Sequence, residues 1–240
     1  MARTASFVAA LALAAVAALT SPADAQQAAP APAPAPAPPA PQPAPQATTD
    51  ATVAKVQAFY DGTTSFSSPF TQQFFVKSHN ITKDSKGKVL FSKPGKMAWD
   101  YETPAGNRVV SDGTILKVYE AANKQLFEQA IDKSQYPAAL SFLTGTGKLA
   151  DAFSFVMYDG AAMQFPGGQV LVGSPKKETA AYTKVLFYVD ASTFHVRRAL
   201  IVDAQGNRNR FDFTEPKVNI PIPPDAFTLV PPPGTQVIKP

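Results

Sequence analysis

Residues 28 to 46, AAPAPAPAPAPPAPQPAPQ, set nine prolines between Pro30 and Pro45. Proline lacks an N–H and has a fixed φ, so such a run cannot enter a helix interior or a sheet ladder and favours extended polyproline II. At about 3.1 Å per residue, Pro30 to Pro45 would span roughly 50 Å as a semi-rigid spacer. A globular fold must therefore come from residues 49 to 240, one domain's worth of chain. Residues 26 to 48 are read as an Ala/Pro-rich disordered linker. Ahead of them, MARTASFVAALALAAVAALTSPADA has a positive Arg3, an apolar run from Phe7 to Leu19 and small residues at Ala23-Asp24-Ala25. That pattern reads as a secretory signal peptide, residues 1 to 25, cleaved near Ala25.

The chain has no cysteine, which excludes disulfides, thiolate metal sites and a cysteine nucleophile. Its formal net charge of +4 is spread along the sequence, and no nucleic-acid-reading motif accompanies it. No nucleic-acid partner is expected.

Val53, Val56, Phe59 and Tyr60 recur at helical spacing, predicting an amphipathic helix over 50–62 with Thr49 or Asp50 as N-cap. Strands dominate afterwards. The first is expected from Phe66 to Lys77, with a turn at Ser85-Lys86-Gly87-Lys88. In VLFSKPGKMAWDY (89–101), Met97, Trp99 and Tyr101 share one face, but Lys93-Pro94-Gly95 interrupts the run. NRVVSDGTILKVYE reads as a hairpin with a type I′ turn at Asp112-Gly113. A strand at 126–131 precedes one or two short helices between 136 and 153. Five further strands come next, and AFTLVPPPGTQV reads as a last strand cut by prolines. About ten strands with few helices predict an antiparallel sandwich or barrel.

Val185–Val189 and Phe153–Met157 are apolar on both faces, and of 17 phenylalanines only Phe7 precedes residue 49. Such strands are either covered on both sides or line a cavity. A filled sandwich core satisfies the pattern equally well.

Chemistry is scarce. His79 and His195 are the only histidines, and neither has ligands at metal spacing, so no metal and no cofactor are expected. Gly145-Thr146-Gly147-Lys148 suggests a phosphate loop, but Phe142 stands at the earlier glycine position and Leu149 comes after the lysine. No catalytic constellation emerges, and a non-enzymatic role is expected.

Four segments in order, SSPFTQQF, VLFSKPGKMAWDYETP, NRVVSDGTILKVY and AFTLVPPPGTQV, resemble the periplasmic outer-membrane lipoprotein carrier family, LolA. The resemblance spans about residues 50 to 240. It implies a mainly β fold: an unclosed antiparallel β-barrel of ten to eleven strands capped by short lid helices, enclosing an apolar cavity. It further implies a monomeric periplasmic chaperone. This chaperone would take acylated lipoproteins from an inner-membrane lipoprotein-releasing ABC transporter and deliver them to an outer-membrane receptor. On that likeness, Phe70, Phe74, Met97, Trp99, Tyr101, Leu116, Val118, Phe153 and Phe155 would line the lipid cavity. Leu140, Phe142 and Leu143 would belong to the lid. Lys93 would be the latch, where the family has an arginine that holds lid carbonyls. Lysine replaces that planar fork with a point charge. A lipid- or lipoprotein-sensing regulatory domain, or a general lipid or glycolipid binder on the same fold, is the alternative.

Overall fold

The computed structural model describes residues 40–131, 144–145 and 147–239. The expectations for residues 1–39, and for the lid positions Leu140, Phe142 and Leu143, lie outside these residues.

Helix α1 (Gln46–Asp61) starts four residues before the predicted helix, directly after Pro45 and with no side-chain N-cap. Proline's preset φ suits a helix entrance, and Thr49 turns back along α1, its Oγ1 donating to the Pro45 carbonyl at 3.2 Å. Val53, Val56 and Tyr60 form its buried stripe, as their spacing predicts.

Among the described residues the chain then forms strands β1 (Ser65–Val76), β2 (Ile81–Ser92), β3 (Lys96–Thr103), β4 (Arg108–Asp112), β5 (Ile115–Glu120) and β6 (Gln125–Ala130). A short helix α2 (Leu149–Ala152) precedes β7 (Phe153–Asp159), β8 (Gly168–Pro175), β9 (Lys184–Asp190), β10 (Val196–Val202), β11 (Arg208–Phe213), β12 (Lys217–Val218) and β13 (Gln236–Ile238). They make one sheet in the order β13-β6-β5-β4-β3-β2-β1-β11-β10-β9-β8-β7, with β12 also on β1. The two ends, β13 and β7, do not pair with each other, so the curled sheet stays open. Thirteen strands replace the ten or eleven expected because two of them are only two and three residues long.

Several local readings are corrected. The 85–88 turn is strand: β2 runs through it, and the chain reverses at 77–80, where Asn80 takes φ 50°. Residues 89–101 are not one bent strand. They are the two arms of a hairpin, with Val89 opposite Trp99 and Phe91 opposite Met97, and Lys93-Pro94-Gly95 at its tip. The Asp112-Gly113 turn is wider than type I′, since only Gly113 has positive φ and Ser111 pairs with Leu116. There Asp112 accepts from the amides of Thr114 and Ile115, both at 2.8 Å. AFTLVPPPGTQV is not a strand throughout. It begins in a 3-10 turn, crosses the sheet as coil, and only Gln236–Ile238 pairs, in parallel with β6. Within the predicted 136–153 helical tract, α2 is the helix among the described residues.

Period-two alternation gives the sheet an inner and an outer face. One inner cluster gathers side chains from β1 to β5, β7 to β11, α1 and α2, a convergence that requires the sheet to curl. Outside, Phe227 and Leu229 pack on Ala98, Val110 and Leu126. Arg108 fixes that segment: Nη1 donates to the Thr228 carbonyl at 2.9 Å and Nη2 to that of Ala226 at 2.8 Å. A second outer cluster joins Phe165, Val170 and Tyr188.

Candidate functional site

The inner face is aromatic and covered by α1. Trp99 lies at its centre, with ring centroids 5.0 Å from Phe70, 5.1 Å from Phe211 and 5.8 Å from Phe91. Phe70 and Phe91 meet it edge-on, the arrangement that ring quadrupoles favour. The Trp99 indole N–H is buried without a hydrogen-bond partner among the described residues.

Of the residues predicted to line a cavity, Phe70, Met97, Trp99, Leu116, Phe153 and Phe155 are buried in this one cluster, and Tyr101 and Val118 pack at its margin. Tyr101 Oη donates to Gln72 Oε1 at 3.0 Å. Phe74 shares the parity of Phe70 on β1 but is only half-buried, opposite Lys83 and Asn209 and outside the cluster. Lys117 points to the other face, where its Nζ is 3.9 Å from Glu128. The cavity set implied by the resemblance leaves out Phe91, Phe187, Phe211 and Phe213, and also Tyr60, which spacing placed on the helix stripe; all are buried in the same cluster. The alternation in Arg-Phe-Asp-Phe (210–213) was the available signal for two of them.

The Lys-Pro-Gly tip is the corner where cover meets sheet. Lys93 Nζ donates to the Tyr60 carbonyl in the last turn of α1, where the helix dipole favours a cation. The Lys93 amide donates to Thr64 O at 2.9 Å, and the Gly95 amide to Thr144 O at 3.0 Å. Gly145 makes room for the lysine stem: a Cβ there would lie 2.8 Å from Lys93 Cδ, and its φ is +73°. Burial draws the Lys93 pKa below the usual lysine value, against the opposing pull of Asp61. Three hydrogen bonds from one hairpin tip thus reach α1, the residue after Gly62-Thr63, and Thr144.

Tyr60 supplies a second tie. Its Oη accepts from the buried Val196 amide at 3.0 Å, and burial raises its phenol pKa above the ordinary value. Gln57 ties α1 to α2, its Oε1 accepting from the Leu149 amide at 2.8 Å. Tyr60→Phe should cost about 1–2 kcal/mol by leaving the Val196 N–H unpaired. Urea denaturation would measure it, and an unchanged midpoint would show that this amide finds another acceptor.

The family model described as outer membrane lipoprotein carrier protein LolA matches residues 61–230. The chain belongs to the LolA family. A curated relative from Cupriavidus necator, named outer-membrane lipoprotein carrier protein, is 29% identical over 193 residues, 79% of this chain and 88% of the relative. A relative of the same name from Chromobacterium violaceum is 24% identical over 187 residues, 78% of this chain and 87% of its own length. A solved LolA superfamily structure from Nitrosomonas europaea superposes with a TM-score of 0.42 at 13% identity, covering 75% of this chain and 97% of that one. In this LolA-family chain the matched region begins at the end of α1 and runs through the segment that Arg108 holds down.

Proposed function

We propose that this protein is a non-enzymatic periplasmic carrier that shelters the acyl chains of lipoproteins on the inner face of its open sheet. It would accept them at the inner membrane from a lipoprotein-releasing ABC transporter and give them up to an outer-membrane receptor. The observation that carries this reading is the aromatic inner face covered by a helix whose last turn gives a backbone carbonyl to the Lys93 side chain at the hairpin tip. Family membership and the names of the relatives support it.

The physics of the task favours such a cover. A sixteen-carbon acyl chain gains about 12 kcal/mol on leaving water, at roughly 0.8 kcal/mol per CH₂. A carrier that recovered all of that for several chains would not release them. When the empty protein buries its own apolar cover, cargo exchanges one apolar contact for another, and the complex stays transferable. The Trp99 N–H, which has no partner among the described residues, offers a donor to an ester or amide carbonyl at the head of such a chain.

The test is release. Purified protein is incubated with spheroplasts synthesising a labelled lipoprotein, and the supernatant is examined for a soluble complex of the two. Absence of that complex would overturn the carrier reading. Lys93→Leu should then take up cargo but pass it on about tenfold more slowly. Losing a charge-assisted bond worth about 1.5 kcal/mol from the closed form leaves cargo held that much tighter. Wild-type transfer by this variant would remove the latch role from Lys93.

A further inference from the structure

Lysine outnumbers arginine in this chain, whose six arginines include four between Arg197 and Arg210. Three of these, Arg198, Arg208 and Arg210, meet in a recess on the outer face of β1, β9, β10 and β11, with Phe75, Tyr188 and Leu200 beside them. Arg198 Nε and Arg210 Nε share Asp212, at 2.5 Å from Oδ1 and 2.6 Å from Oδ2. Arg208 makes no ion pair among the described residues and lies over the Phe75 ring, 4.5 Å from its centroid. Arg198 lies 5.1 Å from the centroid of Tyr188. Asp84 stands at the neighbouring rim, where it accepts from Gln73 Nε2 at 3.0 Å.

We propose that this recess is a binding site for a phosphate ester, with Arg208 as its principal contact and Arg198 and Arg210 as flanking donors. Two of the three guanidinium groups share one carboxylate and the third has none among the described residues, so the group keeps an excess of positive charge. The carboxylate and the two rings hold the guanidinium planes in place, which lowers the cost of ordering them around an anion. Planar forks match phosphate oxygens bidentately, whereas the lysines spread over the rest of the surface act as point charges. Leu200 and the aromatic edges give the recess an apolar floor, suited to the carbon skeleton on which the phosphate is carried. That ester could be a soluble molecule or the headgroup of an anionic phospholipid. The site is on the opposite face from the aromatic interior and needs no acyl cargo, so it stands or falls apart from the carrier reading.

Two probes separate the sources: glycerol 3-phosphate, its binding measured by calorimetry, and flotation with phosphatidylcholine vesicles with and without phosphatidylglycerol. Binding of the soluble ester alone identifies a free phosphate ligand, and selective retention on the anionic vesicles identifies a headgroup. Either result supports the site, provided that Arg208→Gln weakens it about tenfold, as loss of a charge-assisted contact implies. Lys124→Gln, the same charge change at an exposed turn between β5 and β6, should bind as wild type. Should Arg208→Gln lower the melting temperature, Arg208→Lys asks the same question with the charge retained and the fork removed. Failure of wild type to bind both probes, or equal losses in the Arg208 and Lys124 variants, would overturn the proposal.

Discussion

Met97→Glu should destabilise the fold by about 4 kcal/mol near neutral pH, combining the loss of a buried side chain's packing with burial of a carboxyl group. Met97 is 3% exposed, within the inner cluster that also holds Phe91 and Trp99. Its partners across the sheet are Phe91 on β2 and the buried Ser111 on β4, neither of them a cation that would stabilise a carboxylate. The introduced acid would therefore stay protonated in the folded state, its folded pKa raised above the unfolded one near 4.3. Its penalty is then smallest at acid pH and grows as pH rises through that window, because the folded state holds on to the proton. Urea titrations of the variant and wild type, run in acid and in neutral buffer, check both size and sign. A variant that melts like wild type at neutral pH would mean that the glutamate reaches water, and Met97 would no longer count as interior. The same result bears on the carrier reading: loss of cargo capture by this variant counts only when its folding is measured alongside.

Gly87→Ala should cost about 3 kcal/mol, at the upper end of what overpacking a structured interior does. Between Lys86 and Gly87 the β2–β3 register slips, with Lys86 opposite Thr103 and Gly87 opposite Tyr101. That irregularity drives the β3 backbone over the glycine: an added Cβ would lie 2.0 Å from the Asp100 carbonyl oxygen and 3.0 Å from Tyr101 Cα. Backbone atoms cannot swing aside as a side chain would, so the strands must part. Gly62→Ala is the matched control. Its φ is −76° and the nearest atom to a new Cβ is 3.5 Å away, so it should be neutral or stabilise by about 0.5 kcal/mol. Equal denaturation midpoints for the two variants would refute this account of Gly87.

Gly87 also shows where sequence reading stops. Ser-Lys-Gly-Lys has turn composition, but the glycine serves a close approach between strands, and that requirement comes from β3. The Lys-Pro-Gly break was legible as a break. That it is a hairpin tip depended on Val89 facing Trp99, a long-range pairing that local pattern does not encode. By contrast, Met97, Trp99 and Tyr101 were correctly placed on one face, because alternation is local. The start of α1 was missed since no side chain caps it; Pro45 takes that place. The parallel β13 was illegible for another reason: three prolines and a glycine precede it, and its partner β6 lies more than a hundred residues earlier. Phe211 and Phe213 were illegible as site residues because β11 joins β1 only in three dimensions, completing the ring of aromatics around Trp99. Phe91 was illegible because its facing Met97 across the hairpin is a pairing that local pattern does not encode.

The open sheet has two rims, and each ends in a stub. At one, Pro43 bridges Tyr158 and the Ala44 amide donates to the Met157 carbonyl at 2.8 Å, with prolines on both sides of that alanine. At the other, β13 offers only Gln236–Ile238 beside β6, just after Pro231-Pro232-Pro233. An unclosed sheet is a template for any passing strand, and a partner adding to such a rim would extend it without limit. Proline-flanked stubs satisfy a little of each rim and then withhold the N–H groups that continued growth needs. The protein can thus keep an adjustable, unsealed interior without inviting the runaway strand-on-strand growth that an unsealed sheet ordinarily risks.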